Sequence, residues 1–405
     1  MFTVFVVDDE PAAIIYMRQL FNLIKIDFRI SGEFTDGRSC LAELEKRQPD
    51  VVISDIHMSG MSGLELTQQI NREYPDIVCL ILSGYSEFEY AREAIRGRVY
   101  EYLLKPIFPD EFIRAMNRIR MEVSSRHLRK RDDLLRRMRA DQEVEIDKLK
   151  RYFDSKSYYG ILIQKNGFPR EPTQEIGQSI SSDLYEQITI YGCDEREELC
   201  IIPSDCVVSD TLQTMSRKLR NGQEMKGDVF TTVITENPFV IEEMAEKIKS
   251  LYKMLYQGII PGKENVYYLE KPLKFLELSK ENKLAVERIR KYFVENQCEE
   301  AYLEFEKLCV DFQERSIPER EIYRTVLYIM QTHWMFSKQS VDIEEQNRLL
   351  ESLLYESTTV HEICENIKVL FDISDQNVFS GKIDTEENYI KIKGYILEHL
   401  KDTLS

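Results

Sequence analysis

Within the first 120 residues, apolar runs recur at short spacing, and each ends on acidic, hydroxyl or basic side chains. FTVFVVDD (2–9), PDVVISD (49–55), DIVCLILSG (76–84) and VYEYLLKP (99–106) read as strands. Between them, PAAIIYMRQLFNLI (11–24), LELTQQINREY (64–74) and FEYAREAIRG (88–97) have helical character, and DEFIRAMNRIRMEV (110–123) begins a further helix. Near-continuous apolar strands alternating with helices indicate a parallel sheet covered on both faces. Open sheets of this kind place their sites at the C-terminal ends of the strands. Asp8, Asp9, Asp55, Ser83 and Lys105 all fall at such ends.

These residue types point to one chemistry. Three carboxylates expected to converge repel one another unless a hard divalent cation offsets the repulsion, and oxygen ligands beside phosphate suit Mg²⁺. Asp55 is the candidate nucleophile, able to become an aspartyl phosphate, with Asp8 and Asp9 left to hold the ion. The backbone carbonyl of His57 is expected to complete the metal shell. Lys105 supplies a point charge for phosphoryl oxygens, and the bond to Pro106 is a candidate cis peptide. Ser83 offers a hydroxyl to the phosphoryl group, and Tyr102, three residues before Lys105, can be buried or exposed in response. Gly63 follows Asp55 at the loop. Taken singly, paired acids are helix caps, Ser83 is a strand-end hydroxyl and Lys-Pro is a turn; their recurrence on successive strands favours a site.

The segments VVDDEP (6–11), DIHMSGMSG (55–63), ILSGYSEFEYAREAI (81–95) and YEYLLKP (100–106) resemble the receiver domain of bacterial two-component response regulators. The resemblance covers residues 1–120. It implies a CheY-like, doubly wound five-stranded parallel sheet, with Asp55 phosphorylated by a sensor histidine kinase. It further implies Mg²⁺ at Asp8, Asp9, Asp55 and the His57 carbonyl, with Ser83, Lys105 and Tyr102 carrying the switch. Ser59 departs from the pattern, standing where the family usually has proline.

The stretch from Asp110 to Phe153 lacks proline and glycine, and Leu128, Leu135 and Leu149 recur at heptad spacing with Gln142 between. A long linker helix over 121–153 is expected, either forming a two-stranded coiled-coil seam or lying on its own domain. Residues 154–272 read as a small α+β domain and 273–385 as a helical region. The stretch 242–272 resembles the end of a degenerate GGDEF or cyclase-like domain, without its catalytic loop. Residues 386–405 resemble the opening of an AraC-type DNA-binding domain of the YesN-like class, the rest of which is expected to be missing through truncation.

Composition narrows the classes. With 43% hydrophobic and 31% charged residues the chain can build cores, and no apolar run is long enough to cross a bilayer. A cytoplasmic protein with no membrane partner is expected. The net charge of -17 disfavours nucleic-acid binding by this part of the protein, so DNA contact would fall to the missing C-terminal domain. Eight cysteines without a CxxC pair suit a reducing compartment and argue against a zinc ribbon or a disulfide scaffold. No second reactive constellation stands out in 154–405, so no enzyme activity beyond the receiver's own phosphoryl transfer and dephosphorylation is expected. The reading is a phosphorylation-controlled transcriptional regulator, a homodimer through the receiver and linker helix. The alternative is a protein-interaction regulator without DNA-binding output.

Overall fold

A computed structural model describes residues 1–23, 27–84, 99–165, 189–192, 196–207, 212–220, 228–273, 278–336, 350–353 and 357–375. The chain divides into two compact units, Met1–Lys130 and Arg131–Ser405. The expected helix at 88–97 and the AraC-like opening at 386–405 lie outside the described residues.

In the first unit, strands β1 (Phe2–Val7), β2 (Phe28–Phe34), β3 (Val51–Asp55), β4 (Val78–Ser83) and β5 (Glu101–Leu104) form one sheet in the order β2-β1-β3-β4-β5. All of its pairings are parallel. Successive side chains point to opposite faces, so one strand serves two cores. Val4 and Val6 pack with helices α1 (Pro11–Leu23) and α4 (Pro109–Arg139), through residues such as Met17 and Phe112. Phe5 and Val7 pack with α2 (Gly37–Leu44) and α3 (Gly63–Glu73), through Cys40, Leu66 and Ile70. Burial on both faces explains the unbroken apolar runs. The apolar pattern does not mark β2 or α2: Gly32 and Glu33 interrupt the apolar character of Phe28–Phe34.

Register sets the site. Val7 lies opposite Ser54, Asp55 opposite Leu82, and Ser83 opposite Leu104. Four strands therefore stop nearly in line, and the polar residues that follow are delivered to one edge.

Helix α4 does not run to Phe153 as expected. It ends at Arg139, and the chain turns through Ala140 and Asp141, the latter at φ 57, before α5 (Ile146–Tyr152). The leucine spacing does not make a coiled-coil seam. Leu135 and Leu149, with Met138 on the adjacent line, are buried in the second unit's own core. Before Lys130 the helix lies on the first unit. Arg126 donates to the Pro75 and Ile77 carbonyls, a ring nitrogen of His127 is 2.8 Å from Asp50, and Lys130 pairs with Asp76. The heptad spacing reflects intramolecular burial.

The second unit holds a mixed sheet of β6 (Tyr158–Lys165), β7 (Thr189–Tyr191), β8 (Glu197–Pro203), β9 (Phe230–Ile234) and β10 (Asn265–Tyr268), ordered β10-β9-β6-β8-β7. Among the described residues of this sheet, only the β9–β10 pairing is parallel. Helix α6 (Leu212–Arg220) places Met215 on one face of the sheet, while α7 (Met244–Gly258) packs Ile248, Leu251 and Leu255 on the other. Helices α8 (Lys280–Val294), α9 (Cys298–Arg315), α10 (Glu319–Phe336) and α11 (Val360–Asp375) share a further core centred on Ile289, Phe305, Phe312 and Ile329. His333 and Trp334 are buried in that helical region. Cys309 and Cys364, separated by 55 positions, are joined in a disulfide. That bond departs from the reduced-thiol expectation, because helix packing joins cysteines that sequence spacing leaves unrelated.

Candidate functional site

Asp8 follows β1, and Asp55 is the last residue of β3. Both are buried, at 1% and 7% exposure. Two ionised carboxylates cannot be taken from water side by side without a countercharge. Lys105, immediately after β5, supplies it: Nζ lies 2.8 Å from Asp8 Oδ2 and 2.5 Å from Asp55 Oδ1. Burial opposes the ammonium charge, but hydrogen bonds and attraction to Asp55 and Asp8 outweigh it and hold the Lys105 pKa above its ordinary value.

The remaining carboxylate oxygens are held by main-chain donors. Asp8 Oδ1 accepts from the Glu10 amide at 2.9 Å, and Asp55 Oδ2 from the His57 amide at 2.8 Å. Gly63, at the start of α3, is required by close approach. Its amide donates to the Ile56 carbonyl at 3.0 Å, and a Cβ there would stand 2.0 Å from the Asp55 carbonyl oxygen. The following helix is fixed by a reciprocal cap between Ser62 and Glu65.

Ser83 is fully buried at the end of β4, and its carbonyl accepts from the Lys105 amide at 2.6 Å. The Lys105–Pro106 peptide is cis. Tyr102 lies opposite Ile81 in the sheet and packs, half-buried, against Ile56, Leu64 and Ile81.

The three acids differ in their partners: Asp8 and Asp55 share Lys105, whereas Asp9 Oδ2 accepts from the Ser59 amide at 3.1 Å. Composition could not reveal this partner, since the donor is main chain. The only signal was the absence of proline at 59, because proline has no N–H to give.

Among the described residues, no group of three or more His, Cys, Asp or Glu side chains is arranged as a metal cage. Mg²⁺ does not need one. It commonly takes one or two carboxylates, with waters and phosphate oxygens completing the shell. Two buried carboxylates at an open strand edge, with Asp9 on the neighbouring loop, form an oxygen-rich donor set that fits such an ion.

Residues 4–117 match the family described as the response regulator receiver domain. The chain is 28% identical over 162 residues to the transcriptional regulatory protein YesN of Bacillus subtilis (strain 168), covering 40% of this chain and 42% of that protein. It is 26% identical over 216 residues to the transcriptional regulatory protein YxjL of the same organism, covering 53% and 94%. It is also 28% identical over 118 residues to the chemotaxis protein CheY of Thermotoga maritima, covering 29% and 95%. The chain thus spans less than half the length of YesN. No helix among the described residues is long and apolar enough to cross a membrane.

Proposed function

Residues 4–117 form a response regulator receiver domain, and on that premise we propose that Asp55 accepts a phosphoryl group from a sensor histidine kinase and thereby controls a transcriptional output. The observation carrying this reading is the buried Asp8–Lys105–Asp55 arrangement at the strand ends. An Asp55 oxygen attacks phosphorus, the bond to the kinase imidazole nitrogen breaks, and the nitrogen keeps the electron pair. The His57 amide orients the carboxylate for attack. Once one Asp55 oxygen carries the phosphoryl group as an acyl phosphate, the Lys105 ammonium turns from it to the phosphoryl oxygens, and the Ser83 hydroxyl donates to the same group. Asp8, Asp9, Asp55 and the His57 carbonyl would hold Mg²⁺. When bound, the ion neutralises charge on the phosphoryl oxygens.

Tyr102, packed against Ile56 and Ile81 beside the site, moves with Ser83 and changes the exposed surface. That surface, with Leu104 and Met121 exposed, favours a receiver homodimer. The names of YesN and YxjL support transcription as the output. We assign DNA contact to an AraC-type domain opening at 386–405, with 154–272 as a degenerate GGDEF-like regulatory domain, and place the protein in the cytoplasm.

The test compares wild type with Asp55→Asn, each given Mg²⁺ and acetyl phosphate, reading covalent phosphate by intact mass and assembly by light scattering. Wild type should gain one phosphate and shift from monomer toward dimer, and Asp55→Asn should do neither. Stoichiometric labelling of the variant would sink the assignment.

A further inference from the structure

We propose that Cys309 and Cys364 are a redox-responsive pair that fastens and releases α11, with low-molecular-weight thiols and disulfides as reactants. The two cysteines lie on α9 and α11, and the disulfide closes a loop that contains all of α10. The pair can serve as a switch only if the helices remain packed when the bond opens, and the packing meets that condition. Phe305, Leu308 and Phe312 of α9 and Ile363 and Ile367 of α11 belong to one buried core. Lys368 on α11 also pairs with Glu306 on α9 at 2.6 Å. The bond therefore adds to a contact that exists without it, restricting how far α11 can open.

Geometry rather than reactivity singles out this pair: among the described cysteines it alone is bonded, whereas Cys206 and Cys298, although more exposed, are not in a disulfide. Burial pushes the thiols of Cys40 and Cys79 up to about 12 and that of Cys200 well above its ordinary value, so these three yield little thiolate. Cys309 and Cys364 have each other, and Cys309, at 8% exposure against 4%, is the point of entry.

In oxidation the Cys309 thiolate attacks one sulfur of oxidised glutathione, giving a mixed disulfide and releasing one glutathione thiolate. The Cys364 thiolate then attacks the Cys309 sulfur and releases the second. Two electrons pass from the protein sulfurs to glutathione, and the two protein thiol protons end on the released thiols. Reduction runs the same steps backward.

The full chain is equilibrated in glutathione buffers from fully oxidised to about a hundredfold excess of the reduced form. Alkylation with mass mapping reads the two cysteines, and hydrogen exchange reads the α11 amides. The pair should titrate reversibly, with exchange in α11 about tenfold faster in the reduced state. The Cys309→Ala/Cys364→Ala double variant should show the faster exchange in every buffer. A pair that stays oxidised throughout, one that stays reduced throughout, or equal α11 exchange in both states overturns the proposal. These outcomes are readable on wild type alone and do not depend on Asp55.

Discussion

Both units bury charge, and they do so differently. In the receiver, Asp8 and Asp55 sit at strand ends with Lys105, whose side chain keeps 26% of its exposure. In the second unit, Arg139 and Glu197 pair at 2.9 Å with side-chain exposures of 3% and 2%. Tyr252 donates to the second Glu197 oxygen at 2.6 Å, and its ring lies under the guanidinium at 4.6 Å. One arrangement keeps its cation partly in solvent, so its ammonium can exchange partners. The other is sealed and fixes the end of α4 against β8 and α7. Burial of an ion pair alone is thus no mark of a reactive site; access to one side of it is.

The sharpest break of this comparison is Arg139→Met. It leaves Glu197 buried with Tyr252 but without its cation, and unfolding of the second unit should become easier by about 3–5 kcal/mol. Denaturant unfolding followed through that unit measures the loss. The double variant Arg139→Met/Glu197→Met should recover much of it, since a well-packed apolar pair replaces a desolvated ionic one. Lys105→Met comes next. Because the ammonium is partly solvated, its loss should cost a discounted ~2–3 kcal/mol, and Mg²⁺ should restore part of the receiver's melting temperature. A variant indifferent to Mg²⁺ would show that Asp8 and Asp55 do not bind the ion.

The sequence was legible where burial on both sheet faces left apolar runs ending in acids, a hydroxyl or lysine. That pattern located the strands before Asp8, Asp55, Ser83 and Lys105. It failed at Phe28–Phe34, whose glycine and glutamate dilute the run, and at Thr189–Tyr191, too short to carry a period. Heptad spacing misled at Leu135 and Leu149, because any helix buried on one side repeats its apolar residues near that interval. Main-chain partners, such as the Ser59 amide, leave almost no trace in side-chain identity.

Glu319 extends the comparison to a buried acid with no countercharge. It is 1% exposed at the start of α10, and neither carboxylate oxygen has a hydrogen-bond partner. Its amide donates to the Ile259 carbonyl at 2.8 Å, tying the helical part to the end of α7. Burial raises the Glu319 pKa well above 4.5. Below the unfolded value, both folded and unfolded forms hold the proton and no penalty arises. Above it, the unfolded chain ionises while the folded one stays neutral, so stability falls with rising pH until the folded group also ionises. Each pH unit in that window is worth about 1.4 kcal/mol. Glu319→Gln should therefore melt higher than wild type at pH 7 by an amount that shrinks toward pH 5. An identical pH dependence in the two proteins would place the acid in contact with water.

The smallest expected effect lies at Ser59. Its amide holds Asp9 Oδ2 at 3.1 Å, while Asp8 and Asp55 face Lys105. Proline at 59 would remove that donor without touching another carboxylate, leaving Asp9 to turn toward the strand ends. Ser59→Pro should then strengthen Mg²⁺ binding several-fold, on the scale of one solvent-exposed hydrogen bond of about 1 kcal/mol. The melting temperature should change little, since the loop is exposed. Mg²⁺ titration of wild type, Ser59→Pro and Ser59→Ala separates the causes. Alanine keeps the amide and should behave as wild type, whereas a gain shared by alanine would assign the effect to the serine hydroxyl. Unchanged affinity in Ser59→Pro would show that Asp9 contributes nothing to holding the ion, leaving Asp8 and Asp55 as the receiver's metal carboxylates.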